Sequence, residues 1–144
     1  MESKILSSTG FVHEFSVEEL YVLTTHWLSD ITYYEQEIDY FQSLITRYFL
    51  PHVEDINLML ITSIAEHFNA LGHRKEQIKN HIVQHQNQLS MSLDKNDAEN
   101  DAQLNSLHSN IEGKLFEFVK TLRQVKLEFF VATKFTGERK RPTG

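Results

Sequence analysis

The sequence predicts an all-α protein, an antiparallel up-down-up bundle of three long helices packed through coiled-coil-like seams. Three observations lead to this fold class. Apolar residues recur at alternating spacings of four and three over three long segments, which is typical of helices with one buried stripe. Only 5 Gly and 2 Pro occur in 144 residues, and a fold of many short strands needs more turn residues than that. The hydrophobic fraction of 40% suffices for one domain with one core.

The first helix is predicted to cover about residues 16–49. Ser16 and Glu19 have the spacing of a capping box, and Phe15 precedes the cap where a hydrophobic staple begins. Pro51 cannot continue a helix interior, so we expect the helix to end just before it. Its buried stripe, called its seam below, consists of Leu20, Thr24, Trp27, Ile31, Tyr34, Ile38, Phe41, Ile45 and Tyr48.

The second and third helices are predicted over about 53–93 and 102–135. On the second, Gly72 costs about 1 kcal/mol relative to Ala unless close packing requires it, so a bulky aromatic from another helix could lie over it. The seam of the second helix carries Asn57, Ile61, Ile64, Phe68, Leu71, Lys75, Ile78, Ile82, His85 and Leu89. The seam of the third carries Leu104, His108, Ile111, Leu115, Phe118, Leu122, Val125, Phe129 and Ala132.

The remaining segments and the overall charge limit the classes of partner. Residues 1–15 are expected to be a flexible N-terminal segment, and 136–144 a disordered basic tail. The net charge of −6 disfavours nucleic acid and anionic lipid, and the few basic residues of the tail would bind phosphates only weakly. The chain has no run of eighteen apolar residues and no leader-like start, so we expect a cytoplasmic protein without a membrane span. The absence of cysteine excludes disulfides, thiolate zinc sites and cysteine nucleophiles.

Four polar residues form the first candidate site. If the helix ends lie level, residues of helices two and three are level when their numbers add to about 195, and those of helices one and two when they add to about 103. His85 then faces His108, with His81 and Glu112 one turn away and residues 16–20 of helix one beside them. Such a set suits Zn(II), Fe(II) or another divalent metal. The alternative, which we favour, is a polar layer at the wet end of the bundle, hydrogen bonded internally or to water and specifying register.

A second polar cluster is expected near the middle of the bundle. The same rule brings Glu35, His67 and Glu128 within about a turn of one another. Inward carboxylates and histidines from several helices build the sites of ferritin-like di-iron proteins, but those use Glu-x-x-His pairs, and this sequence has none. We therefore expect a salt-bridged network at the bundle edge.

Three segments carry a resemblance to a known family. Residues 26–38 (HWLSDITYYEQEI), residues 66–68 (EHF) and residues 81–85 (HIVQH) resemble a family of small bacterial helical-bundle proteins that has no assigned activity. The resemblance covers most of the chain and implies a helical fold, without implying a chemistry.

No sequence motif requires catalysis. There is no Gly-rich phosphate loop, no Gly-x-Ser-x-Gly and no His-Glu-x-x-His. Further apolar residues instead widen the faces of helix one (Tyr21, Leu28, Tyr33, Tyr40, Leu44) and helix three (Phe116, Val119, Leu127, Phe130). We expect a non-enzymatic bundle that acts through protein–protein interaction or self-association, either as a homo-oligomer that pairs into a larger bundle or with another protein. The alternative is a metal-binding bundle that uses the histidine cluster.

Overall fold

The computed structural model describes residues 14–52, 55–95 and 101–140, and three long helices contain most of them. Helix α1 is Val17–Leu44, α2 is Asp55–Lys95 and α3 is Asp101–Lys140. No residue in these ranges belongs to a strand, which confirms the predicted all-α class. No described helix has both the length and the apolar character that a membrane span requires.

The start of α1 has the predicted capping box. The Ser16 hydroxyl accepts a hydrogen bond from the backbone N–H of Glu19 at 3.2 Å, and the Glu19 carboxylate accepts one from the N–H of Ser16 at 2.8 Å. Two backbone donors that have no partner within the helix are thereby satisfied.

Phe15, which we expected in a flexible segment, is fixed to α3. The side chain of Asn105 accepts a hydrogen bond from the N–H of Phe15 at 2.9 Å and donates one to its carbonyl at 3.0 Å. The ring packs against a small core of Leu20, Leu89 and Leu104. The flexible segment is therefore contradicted at Phe15, while residues 1–13 lie outside the described residues.

The end of α1 differs from an ordinary helix end. The α-helix stops at Leu44 and is followed by a π-helical turn, Ile45–Phe49, and a 3-10 turn, Leu50–His52. The N–H of Leu50 donates to the carbonyl of Ile45, five residues back. Pro51 lacks an N–H, and its ring would clash with the carbonyl four residues before it, so the α-helical hydrogen-bond pattern cannot continue there.

The π turn changes which residue of this segment faces the core. Its extra residue per turn brings Phe49 against the core, where its ring meets that of Phe129. Tyr48 is 62% exposed, so its predicted place on the seam is wrong.

The seam of α3 is confirmed, because every residue assigned to it is buried, and that of α2 is confirmed except at Asn57, which is only partly buried. The boundaries of α2 lie within two residues of those predicted. Helix α3 extends to Lys140, five residues beyond the predicted end, because Glu138, Arg139 and Lys140 favour helix and Gly137 opposes it by only about 1 kcal/mol. The disordered tail is therefore contradicted for the backbone of 136–140, while 141–144 lie outside the described residues.

Gly72 has no aromatic side chain packed over it. A methyl group added at its Cα would meet no atom within 4 Å. The close-packing explanation for this glycine is therefore wrong.

Contacting pairs define the register of the bundle. Across α1 and α2 the residue numbers of hydrogen-bonded pairs add to 110 or 111, for Thr24 with Gln86, Glu35 with Lys75 and Gln42 with Asn69. Across α2 and α3 they add to 193 or 195, for His85 with His108, Arg74 with Thr121 and His67 with Glu128. Nearly constant sums mean that α2 runs antiparallel to both neighbours, so α1 and α3 are parallel.

The expected register is thus right for α2 and α3 and wrong for α1 and α2. The error of about seven residues corresponds to about two helical turns. The chain reversal contributes to this error. The π and 3-10 turns that follow α1 continue to His52, and α2 begins only at Asp55, so the chain reverses at higher residue numbers than we assumed.

Candidate functional site

A pair of buried histidines lies in the bundle core. The Nε2 atom of His85 is 3.1 Å from Nδ1 of His108, and the two residues are only 1% and 4% exposed. The ring of Trp27 from α1 stacks on His108 with a centroid distance of 4.1 Å and an interplanar angle of 21°. One side chain from each helix therefore builds this layer.

The surroundings determine the protonation of the pair. Burial lowers the pKa of His85 to about 4, and burial together with the charge of His85 lowers the pKa of His108 to about 4. Both rings are therefore neutral at pH 7. The Nδ1 atom of His85 is buried and has no hydrogen-bond partner among the described residues. This favours the tautomer in which Nε2 of His85 carries the proton and donates to His108.

The other two candidate metal ligands lie apart from this pair, on opposite sides of α3. His81 is exposed and lines a groove of about 440 Å³ between α2 and α3, together with Lys114. Glu112 lines a different groove, between α1 and α3. Within the described residues no group of three His, Asp or Glu side chains is arranged to hold a metal ion.

The histidine pair has the internal hydrogen bond of the favoured polar layer, but its position differs from the expected one. It is buried rather than at a wet end, and Trp27 contacts it where we expected residues 16–20. The register of α1 explains the difference, because a displacement of about two turns brings Trp27 to the height of His108.

The second predicted cluster is only partly assembled. Nδ1 of His67 lies 3.1 Å from Oε1 of Glu128, and both side chains are more than a third exposed, as in the edge network that we expected. Glu35 does not join them. It lies at the height of Lys75, because α1 and α2 are displaced by about two turns from the expected register.

Sequence analysis placed Lys75 on a seam but did not find its partners. Its Nζ donates to Oε2 of Glu35 at 2.5 Å and to Oε2 of Glu76 at 2.6 Å. Burial opposes the charged form of Lys75, but the two carboxylates outweigh burial and raise its pKa. The hydrogen bond from Lys75 in turn lowers the pKa of Glu35. The ammonium of Lys75 is therefore charged, although the residue is buried.

A groove with mainly apolar walls lies between α1 and α3. It encloses about 400 Å³ and is lined from α1 by Leu23, His26, Trp27, Asp30 and Tyr34, and from α3 by Glu112, Leu115, Phe116 and Val119. Burial raises the pKa of the Tyr34 hydroxyl, and the negative charges of Asp30 and Glu37 raise it further, while Arg123 opposes them. Charges of both signs thus surround an apolar groove.

Helix α3 carries a second row of side chains beside this groove. The row is spaced by four and three residues and consists of Phe116, Lys120, Arg123, Leu127, Phe130 and Lys134, all of them exposed. Phe116, Leu127 and Phe130 are 54%, 56% and 55% exposed, and the ring of Phe130 meets that of Phe41 across the face. We call the groove and this row together the α1–α3 face. Sequence analysis named its apolar members but did not recognise that the basic residues continue the same row.

Comparison of the chain with protein-family models, with curated proteins and with solved structures gave no match.

Proposed function

We propose that this chain is a non-enzymatic helical-bundle protein that works by binding another protein surface through its α1–α3 face. The observation that carries the proposal is the row of three half-exposed apolar residues on α3, Phe116, Leu127 and Phe130, next to an apolar groove. Large apolar side chains aligned on one face cost solvation free energy in water, and protein interfaces bury such residues.

The physical properties of the face suit a protein partner. A groove lined mainly by aromatic and aliphatic side chains, with the carboxylates of Asp30 and Glu112 beside them, has the mixture of apolar and polar groups found in protein–protein interfaces. The row on α3 has the spacing of a helix-packing seam, so a partner helix could pack along it in the way that α2 packs on the other side.

Site-specific photo-crosslinking tests this proposal. A benzophenone amino acid replaces Phe116 in one version of the full chain, and Met91 in the matched control. Met91 is 57% exposed but lies on the outer side of α2. In cells that naturally produce the chain, we expect a discrete adduct from position 116 and none from 91.

The adduct must then be identified, and binding must be reproduced with purified proteins. Phe116→Glu should abolish that binding, because it places a charge in the apolar contact, while Met91→Glu should leave it intact. Equal adduct formation from both positions, or no adduct from position 116, would contradict the proposal.

A further inference from the structure

We infer that the partner at the α1–α3 face is a second copy of this chain, packed parallel to the first about a two-fold axis that runs along the helices. This inference rests on the proposed function and names the partner of the same face. It follows from the distribution of charge on the two helices that border the face.

The two bordering helices carry opposite net charge. Residues 17–52 contain six carboxylates and one arginine, whereas α3 contains seven basic residues and five carboxylates, giving −5 and +2. Among the described residues, one ion pair joins these two helices: Nζ of Lys126 lies 3.0 Å from Oε2 of Glu37.

Three further charges on the face have no ion-pair partner among the described residues. Asp30 lies at the rim of the groove on α1, and Lys120 and Arg123 lie in the exposed row of α3. None of the three forms an ion pair with any described residue. Lys120 lies within a turn of the contact between Tyr34 of α1 and Phe118 of α3, and Arg123 lies within a turn of the Glu37–Lys126 pair. Asp30 lies about two turns from Lys120, towards the start of α1.

Symmetry then selects one arrangement of two copies. A two-fold axis parallel to the helices places α1 of each copy against α3 of the other, so the acidic helix α1 meets the basic row of α3, with Arg123 at about the height of Glu37. A two-fold axis across the helices places α1 against α1 and α3 against α3, which brings like charges together. Since α1 and α3 are themselves parallel, the first arrangement gives a four-helix layer with alternating charge around a shared apolar centre.

The mass of the full chain in solution tests whether the partner is a second copy. Sedimentation equilibrium over about 1 to 300 μM should give twice the chain mass at the upper end. Arg123→Glu should weaken the dimer at least about tenfold, because it replaces an attractive contact by a repulsive one. Lys114→Glu is the matched control: it changes the net charge equally but lies in the α2–α3 groove, and it should leave the dimer unchanged.

A distance measurement tests whether the two copies pack parallel or antiparallel. The chain has no cysteine, so Gln103→Cys provides a single spin-label site near the start of α3. Two labels in a parallel dimer should be less than about 30 Å apart, whereas an antiparallel dimer separates them by about 60 Å, given 1.5 Å per residue.

The outcomes separate this inference from the proposed function. A chain that stays monomeric at all concentrations, an antiparallel distance, or a dimer weakened equally by both charge reversals overturns the inference. A position-116 adduct that contains a different protein also overturns it, yet supports the proposed function. An adduct with a second copy, together with a short distance, supports both.

Discussion

Because the two core histidines are buried and neutral, we expect the fold to lose stability in mild acid. The pKa of each ring is about 4 in the folded chain, against 6.5 for an exposed imidazole. The unfolded chain therefore takes up protons on these two residues as the pH falls below 6.5, while the folded chain does not. The stability that the neutral pair contributes is fully present above pH 6.5 and is lost as the pH falls towards 4.

The magnitude follows from the two pKa values. Between about pH 7.5 and pH 5, each histidine should lower the free energy of unfolding by about 2 kcal/mol, and the pair by about 4 kcal/mol. A domain of this size has a total stability of about 5–15 kcal/mol, so the loss is large. Protonation of His108 also breaks its hydrogen bond with His85, because both facing nitrogens then carry a proton.

Urea unfolding at a series of pH values measures this loss. Circular dichroism follows the helices, and the fluorescence of Trp27, the only tryptophan and stacked on His108, follows the layer itself. In the double variant His85→Leu/His108→Leu, the loss of unfolding free energy between pH 7.5 and pH 5 should be smaller than in the wild type by about 4 kcal/mol. His81→Gln, an exposed position one turn from His85, should retain it. A wild-type stability that is flat over this range, or an unchanged slope in the double variant, would refute the reasoning.

Four further changes test the core, a cap, a glycine and the histidines. Phe118→Ala should lower the free energy of unfolding by about 3–5 kcal/mol, because the ring is fully buried and its removal leaves a cavity; a loss below about 1 kcal/mol would contradict the seam of α3. Ser16→Ala should cost about 1 kcal/mol in the same urea assay, and no cost would mean that the capping box contributes nothing. Gly72→Ala should raise stability by about 0.5–1 kcal/mol, because nothing obstructs the added methyl group; destabilisation would refute this. Adding a chelator should leave the melting temperature unchanged, whereas a lower one would revive the metal-binding alternative.

The periodicity of the sequence determines which residues are buried, and this part of the fold could be predicted almost completely. A helix places every third or fourth residue on one side, so the pattern is local and needs no knowledge of the neighbouring helices. The clearest exception is the exposed Tyr48, where a π turn adds one residue to the period, while Tyr34 and Asn57 are partly buried. That turn depends on how the chain reverses near Pro51, which a helical periodicity does not describe.

Which residues of two neighbouring helices lie level with each other depends on geometry that is not local to either helix. His85 and His108 meet as predicted, because the register of α2 and α3 was right. Glu35 and His67 do not meet, because the displacement of α1 by about two turns acts on every contact that α1 makes. The contribution of α1 to each candidate site was therefore the part that sequence analysis missed.

The need of the buried Lys75 for a carboxylate partner could have indicated the correct register of α1 and α2. In the expected register Lys75 would lie at the height of Leu28 and would keep only the exposed carboxylate of its neighbour Glu76, and burying an incompletely paired ammonium is costly. The observed register gives Lys75 the carboxylate of Glu35 and at the same time brings Trp27 onto His108. A periodic apolar seam tolerates a shift by one heptad, since leucine and isoleucine repeat along it, whereas Lys75 does not. The polar seam residues thus specify which of several similar apolar packings the helices adopt, and this is the role that Lys75 and the histidine pair have in the fold.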